Sequence, residues 1–226
     1  MQKDQIKQAL TDLRNNSTKR NFNQSIDLII TLRDLDLKKP ENQIDLFTQL
    51  THPKTKKIKT CAIIGPELME TAKENCDTIL TVDDFPEYRD NKRKLIKLAK
   101  EHDFFIAQAT IMPQIAKAFG RILGTRGKMP NPKAGCVVPP KANLKPLVEK
   151  LQKTVRVTAK TQLCIKTTPG DEKMEDDKIT ENIMNVYNAA IHSMPQEERN
   201  VKDILVKFTM SKPITIGKKK QTKENE

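Results

Sequence analysis

Two stretches with a hydrophobic period of two stand near opposite ends of this chain, and the middle runs to a different rhythm. In RNFNQSIDLIITL, Arg20 to Leu32, the residues Ile26, Leu28, Ile30 and Leu32 alternate with Ser25, Asp27 and Thr31. Successive side chains of a strand point to opposite faces, so this stretch reads as a strand with one face in a core and the other mostly polar. Ile29 interrupts the polar face and predicts partial cover there too. The nearest counterpart is ILVKFTM, Ile204 to Met210. Between the two lie short, continuous apolar runs, TCAII at 60–64, TILTV at 78–82 and DFFIA at 103–107, separated by helical patterns. A run apolar on both faces suits a strand covered on both sides, and strand alternating with helix suits a small parallel sheet. The ends are therefore expected to close into one antiparallel α+β layer. The middle is expected to form an inserted α/β domain of the Rossmann-like, three-layer kind.

The basic segment 54–59 marks the joint. A discontinuous outer domain is expected over 1–55 and 154–226, with strands near 24–32, 45–50, 154–168 and 202–210. The inserted domain is expected over 56–153. Ile6, Leu10 and Leu13 put an apolar face on a helix over 1–16. Ile179, Ile183, Val186, Tyr187 and Ala190 mark a second helix, opened by Glu175, Asp176 and Asp177 where the helix dipole favours acids. Further helices are expected at 67–75, 92–102, 111–123 and 144–151, and Val137-Val138 returns to the sheet. Residues 218–226, KKKQTKENE, have no apolar side chain and read as a disordered basic tail.

Charge narrows the partners. The chain has 41 Lys+Arg against 29 Asp+Glu, a formal net charge of +12. Such an excess favours a polyanion, most simply nucleic acid. MQKDQIKQAL lacks an apolar signal core, and no apolar run nears the ~18 residues of a membrane span. A cytoplasmic protein with no membrane partner is expected. Cys61, Cys76, Cys136 and Cys164 form no C-x-x-C pair, and the settings CAII, GCVV and LCI suit buried, reduced thiols. His52, His102 and His192 are scattered at element borders and read as surface residues. No metal, cofactor or catalytic grouping is expected.

An α/β nucleotide-binding enzyme using the inserted domain is the alternative. Gly65-Pro66 does not continue as G-x-G-x-x-G. Gly127-Lys128 looks like the end of a P-loop, but Ile122 and Met129 stand where its first Gly and its magnesium-binding Ser/Thr belong. Binding features are better represented. GTRGKMPNPK, Gly124 to Lys133, offers Arg126, Lys128 and Lys133 on a Gly- and Pro-rich loop that a phosphate can approach. Phe22 stands among polar neighbours at a strand entrance, where an aromatic ring can stack on a base. Thr209 and Met210, at the end of the last strand, can meet ribose hydroxyls.

Four segments carry a resemblance: RNFNQSIDLIITLRDLDLKKPEN, NKRKLIKLAKEHDFFIAQATIMP, ILGTRGKMPNP and VKFTMSKP. Together they resemble the large-subunit ribosomal protein L-one family, that of the mobile ribosomal stalk, over about residues 3–216 and closest to its archaeal branch. The resemblance implies a split outer domain that holds large-subunit ribosomal RNA. It implies an inserted domain swinging on two chain crossings, near 54–58 and 152–155. The implied partners are stalk ribosomal RNA, the exit-site transfer RNA whose release the stalk assists, and the protein's own messenger RNA, whose translation family members can repress. The implied state is a monomer within the ribosome, with no catalysis and no cofactor.

The family's contact strip has a Phe before the first strand, a hydroxyl residue three positions on and a Thr-Met-Gly at the last strand's end. These fall on Phe22, Ser25, Thr209, Met210 and Ser211, and Arg20 at the same entrance is counted with them. Ser211 stands where the family usually has Gly. Thr125 stands where it usually has Pro, which is expected to loosen that turn slightly. A hairpin at Lys160-Thr161 matches a second contact region more loosely.

Overall fold

The computed structural model describes residues 1–140 and 142–217. In chain order its helices are α1 (Lys3–Asn16), α2 (Met69–Asn75), α3 (Phe85–Asp90), α4 (Lys92–Glu101), α5 (Met112–Thr125), α6 (Leu144–Gln152) and α7 (Asp176–His192). Its strands are β1 (Ser25–Leu32), β2 (Ile44–Gln49), β3 (Thr60–Ile63), β4 (Thr78–Leu80), β5 (Phe104–Gln108), β6 (Val137–Val138), β7 (Thr154–Ala159), β8 (Cys164–Asp171), β9 (Val201–Phe208) and β10 (Ile214–Thr215). The chain separates into two compact units: Met1–Lys56 together with the chain from Lys153 onward, and Lys57–Gln152.

In the first unit β1 is an inner strand, in the order β10-β9-β1-β8 with antiparallel partners on both sides. Its alternation is realised residue by residue: Ile26, Leu28, Ile30 and Leu32 are buried, while Ser25, Asp27, Ile29 and Thr31 are half-buried. The buried set joins Ile6, Leu10 and Leu13 of α1 and Ile179, Ile183 and Val186 of α7 in one core. Arg14 fastens α1 to the turn before α7, donating from Nε to Asp176 Oδ1 at 2.9 Å and from its two terminal nitrogens to the carbonyls of Glu172 and Met174, each at 3.0 Å. β8 runs on to Asp171 through Pro169, past the expected end at 168. Its register slips there, between the partners of Ile26 and Leu28, and a bulge on an edge strand is where a proline is tolerated. The buried amide of Asn182 then takes up the Pro169 carbonyl at 2.9 Å.

The outer strands do not make one layer. β2 and β7 pair only with each other, in register from Ile44 opposite Ala159 to Gln49 opposite Thr154. Both edges of β1 are already taken by β8 and β9, which leaves β2 no place beside it. The Lys160-Thr161 turn therefore joins strands of two different sheets and is not a laddered hairpin. β9 also stops at Phe208, so Thr209 and Met210 form a turn beyond the strand. β10 and α3 had no expectation attached to them. The expected tail, 218–226, lies outside the described residues.

In the second unit a parallel sheet has the order β4-β3-β5-β6, with β3 buried at every position. Helix α2 packs with α6, while α3, α4 and α5 pack with one another. Phe119 of α5 meets Phe85 edge-to-face at 5.0 Å in the core. At the end of β3 the Gly65 N–H donates to Gln108 Oε1 at 2.8 Å, and a Cβ on residue 65 would sit 2.9 Å from that oxygen, so any larger residue would push the Gln108 amide aside. Cys61 and Cys136 are buried, and burial pushes both thiols up, Cys136 to about 11. Cys164, expected to be buried, is only half-covered, because it faces outward at the start of edge strand β8. His102 corrects the surface reading of the histidines: it is 4% exposed, with Nδ1 3.0 Å from the Leu98 carbonyl and Nε2 2.8 Å from Thr78 Oγ1. No helix among the described residues is long and apolar enough to cross a membrane.

Candidate nucleic-acid interface

Because β1 and β9 are antiparallel, the start of one meets the end of the other, and Ile26 pairs with Phe208. One residue further out, Thr209 locks the two chains together. Its N–H donates to the Ser25 carbonyl at 3.1 Å. Its hydroxyl accepts from the Ser25 N–H at 3.2 Å and donates to the Ser25 carbonyl at 3.3 Å. The Met210 N–H donates to Gln24 Oε1 at 3.3 Å. Residues 22–25 and 208–211, far apart in sequence, thus form one strip.

Phe22 on this strip is 52% exposed and Met210 61%. Among the described residues Leu163, at 41%, is the other large apolar side chain this open to solvent. Single exposed apolar residues are ordinary; here both lie within the two segments joined by the Thr209–Ser25 and Met210–Gln24 bonds. Arg20 and Thr209 are exposed and Ser25 and Ser211 half-buried. Ser211 closes the turn: its Oγ accepts from the Phe208 N–H at 2.8 Å and its N–H donates to the Phe208 carbonyl at 3.1 Å. Its backbone does not enter the positive-φ region, so the turn asks for no glycine.

Lys160 and Thr161 are exposed but lie elsewhere. The Leu32 N–H donates to the Leu163 carbonyl at 2.9 Å, which pins the 160–163 turn at the opposite end of β1 from Ser25. At ~3.3 Å per residue the two ends of that strand are roughly 20 Å apart. Lys160 Nζ is 2.7 Å from Asp45 Oδ2, and Arg156 Nε is 2.9 Å from Asp45 Oδ1. The Arg156 guanidinium also lies over the Phe47 ring, 5.6 Å from its centroid. The hydrogen bond from Arg156, opposed by partial burial and helped by Lys160, holds the Asp45 carboxyl down at about 2. One carboxylate is thus shared by two cations, and Arg156, Lys160 and Lys166 line an open cavity of about 300 Å³.

The basic loop belongs to the second unit, and its cations differ in kind. Lys128 Nζ donates to the His102 carbonyl at 2.6 Å, so one of its three donors braces its own fold. Arg126 and Lys133 are exposed. The Thr125 hydroxyl donates back to the carbonyls of Arg121 and Ile122, each at 3.1 Å, at the helix end. Gly127, at φ 64°, ends the helix. Among the described residues no group of three or more His, Cys, Asp or Glu side chains could hold a metal.

Sequence reasoning missed Gln24, Arg156 and Lys166. Gln24 stands one place before the alternation begins, where a pattern of two gives no signal. Arg156 and Lys166 look like ordinary outward-facing strand residues, and only the fold brings them beside Lys160.

A sequence model described as the ribosomal protein L1p/L10e family matches residues 13–212. The chain is similar to the large ribosomal subunit protein uL1 of Methanocaldococcus jannaschii, 40% identical over 99% of this chain and 100% of the relative. It is similar to that of Methanothermococcus thermolithotrophicus at 39%, over 96% of this chain and 100% of the relative. It is similar to that of Pyrococcus abyssi at 38%, over 93% and 94%.

Proposed function

The chain belongs to the ribosomal protein L1p/L10e family, and from that premise we propose that it is a structural constituent of the large ribosomal subunit that grips the ribosomal RNA of the mobile stalk. It is a ribosomal protein of the archaeal type and not an enzyme. The gripping surface is the strip Arg20, Phe22, Ser25, Thr209, Met210 and Ser211. The observation that carries this reading is the paired exposure of Phe22 and Met210 beside the Thr209–Ser25 lock. An aromatic ring and a thioether chain supply stacking surface, Arg20 supplies charge, and the hydroxyls supply partners for ribose and phosphate. Lys160 and Thr161 are a second, separate contact on the same RNA, and Arg126, Lys128 and Lys133 a weaker one.

The first unit is the split RNA-binding domain and the second an inserted Rossmann-like three-layer domain. The parallel strand order and the two separate helix groups support the latter. The inserted domain is the movable part, working on the crossings near 54–58 and 152–155, and assists release of the exit-site transfer RNA. Anchors on either side of one crossing support this. In the first unit Asp171 Oδ2 accepts from the N–H groups of Thr55 and Lys56, at 3.1 and 3.3 Å. In the second, the Gln152 amide accepts from the Ile58 N–H at 2.9 Å and donates to its carbonyl at 2.8 Å. Binding of its own messenger RNA through the same strip would make the protein a repressor of its own translation. It acts in the cytoplasm, as one copy within the ribosome.

The test is co-sedimentation with the large ribosomal subunit, followed by crosslinking from position 22 or 210 and reading of the attached nucleotides. Crosslinks clustered in the stalk are expected. Co-sedimentation with crosslinks from 97 but not from 22 or 210 would remove the strip.

A further inference from the structure

Beside the strip, the segment after α1 and the turn after β9 enclose a cavity of about 450 Å³ that no step above uses. That volume falls within the ~300–1,000 Å³ of small-molecule sites. Apolar Leu13, Ile214 and Met210 and polar Asn16, Gln24 and Lys212 line it. Gln24 decides its chemistry. The residue is 2% exposed, and its Oε1 already accepts the Met210 N–H. That bond fixes which way round the amide lies and leaves Nε2 with no partner among the described residues. Nε2 keeps contact with solvent and is therefore open to an incoming acceptor. Asn16 is exposed and offers both a donor and an acceptor. Lys212 is exposed and has no ion pair among the described residues.

We propose that this cavity takes up a single unpaired nucleobase turned out of the RNA that the strip holds. The proposal rests on the RNA-binding reading above and adds a base-reading site to a surface otherwise suited to backbone and stacking contacts. The faces of the base lie against Leu13, Ile214 and Met210. A carbonyl or ring nitrogen on its edge accepts from Gln24 Nε2, Asn16 reads a neighbouring edge group, and Lys212 meets the flanking phosphate. Bases splayed out of a loop and read on their edges are the usual way proteins recognise RNA sequence.

The test uses the full chain and large-subunit ribosomal RNA, with two footprints: hydroxyl radicals for the backbone and base-modifying reagents for base edges. The wild type is expected to protect the backbone of one site and, within it, one unpaired base. Asn16→Trp, an exposed position whose new side chain fills the cavity, should keep the backbone footprint, restore reactivity of that base and weaken binding about tenfold. Thr18→Trp, a second exposed position that lines the cavity, should do the same and covers the case in which Asn16→Trp melts early. If the base stays protected in both variants, the cavity is not its seat, while the strip stands. If the wild type leaves no footprint at all, the RNA-binding reading fails and this inference fails with it.

Discussion

Thr209 and Ser25, 184 positions apart, exchange hydrogen bonds in both directions through two backbone amides, a carbonyl and one hydroxyl. Neither half of the strip can therefore move without the other. A surface held in its bound shape before binding loses less conformational freedom on association.

Replacing Phe22 by Ala should weaken RNA binding by about 1–3 kcal/mol, the usual worth of one stacked base. The melting temperature should barely move, because half of the ring is already in water. Lys97→Ala is the control: its side chain is 77% exposed and its contact with Glu101 is 3.9 Å long. Filter binding on both variants decides, and equal losses would mean that the strip is misplaced.

Binding should fall steeply with salt. A site neutralising roughly 6–10 phosphates loses about 10³–10⁵ in affinity between 50 and 200 mM salt. A flat titration would remove the phosphate contacts from the account.

Thr209→Ala deletes a hydroxyl that both accepts and donates, and should cost about 1 kcal/mol of stability together with RNA affinity. Thr209→Ser keeps the hydroxyl and should recover most of both. Urea melts with parallel binding titrations check it. An Ala variant as stable as Ser would show that the lock is held by the backbone bond alone.

Much of this was written in the pattern of residues. The alternation at Ile26, Leu28, Ile30 and Leu32 announced both a strand and its buried face, and the unbroken TCAII run announced a strand covered on both sides. A period of two is silent about which strand lies on which edge, so the separation of β2 and β7 into their own sheet was illegible. The same limit hid the partner of Lys160: Asp45 reaches it only because Asp45 lies opposite Thr158 in the ladder. Nothing in a sequence marks the His102 carbonyl as an acceptor for Lys128 either. Phe22 was legible for a local reason: an aromatic outside the alternation has no core face to enter.

Asp45 gives the first unit an acid limit. Its carboxyl is depressed from 3.8 to about 2 in the folded chain. A depressed carboxyl contributes stability that is present above the unfolded value and is lost as pH falls through the folded one, here from about pH 4 to pH 2. With its partly solvated surroundings the contribution is about 1–2 kcal/mol. Urea melts at pH 6, 3 and 2 should show this loss in the wild type and a flatter profile in Asp45→Asn. Identical slopes would mean that other carboxyls set the acid limit.

A shortened chain, 1–55 joined to 154–226 by a brief flexible linker, should fold and still bind stalk RNA. The two hydrophobic clusters share no residue, so removing one leaves the other complete. Circular dichroism establishes folding, and a folded but non-binding product would refute the division of labour between the units.

The position of β1 between β8 and β9 also sets a timetable for the newborn protein. At ~5–20 residues per second, a ribosome needs on the order of 10 s to travel from the codon for Leu32 to that for Cys164. Throughout that interval neither neighbour of β1 has been made, while Lys57–Gln152 is finished before β8 begins and contains every strand of its own sheet. The part of the protein made in the middle can mature first, and the part begun earliest must wait for the last strands to be translated.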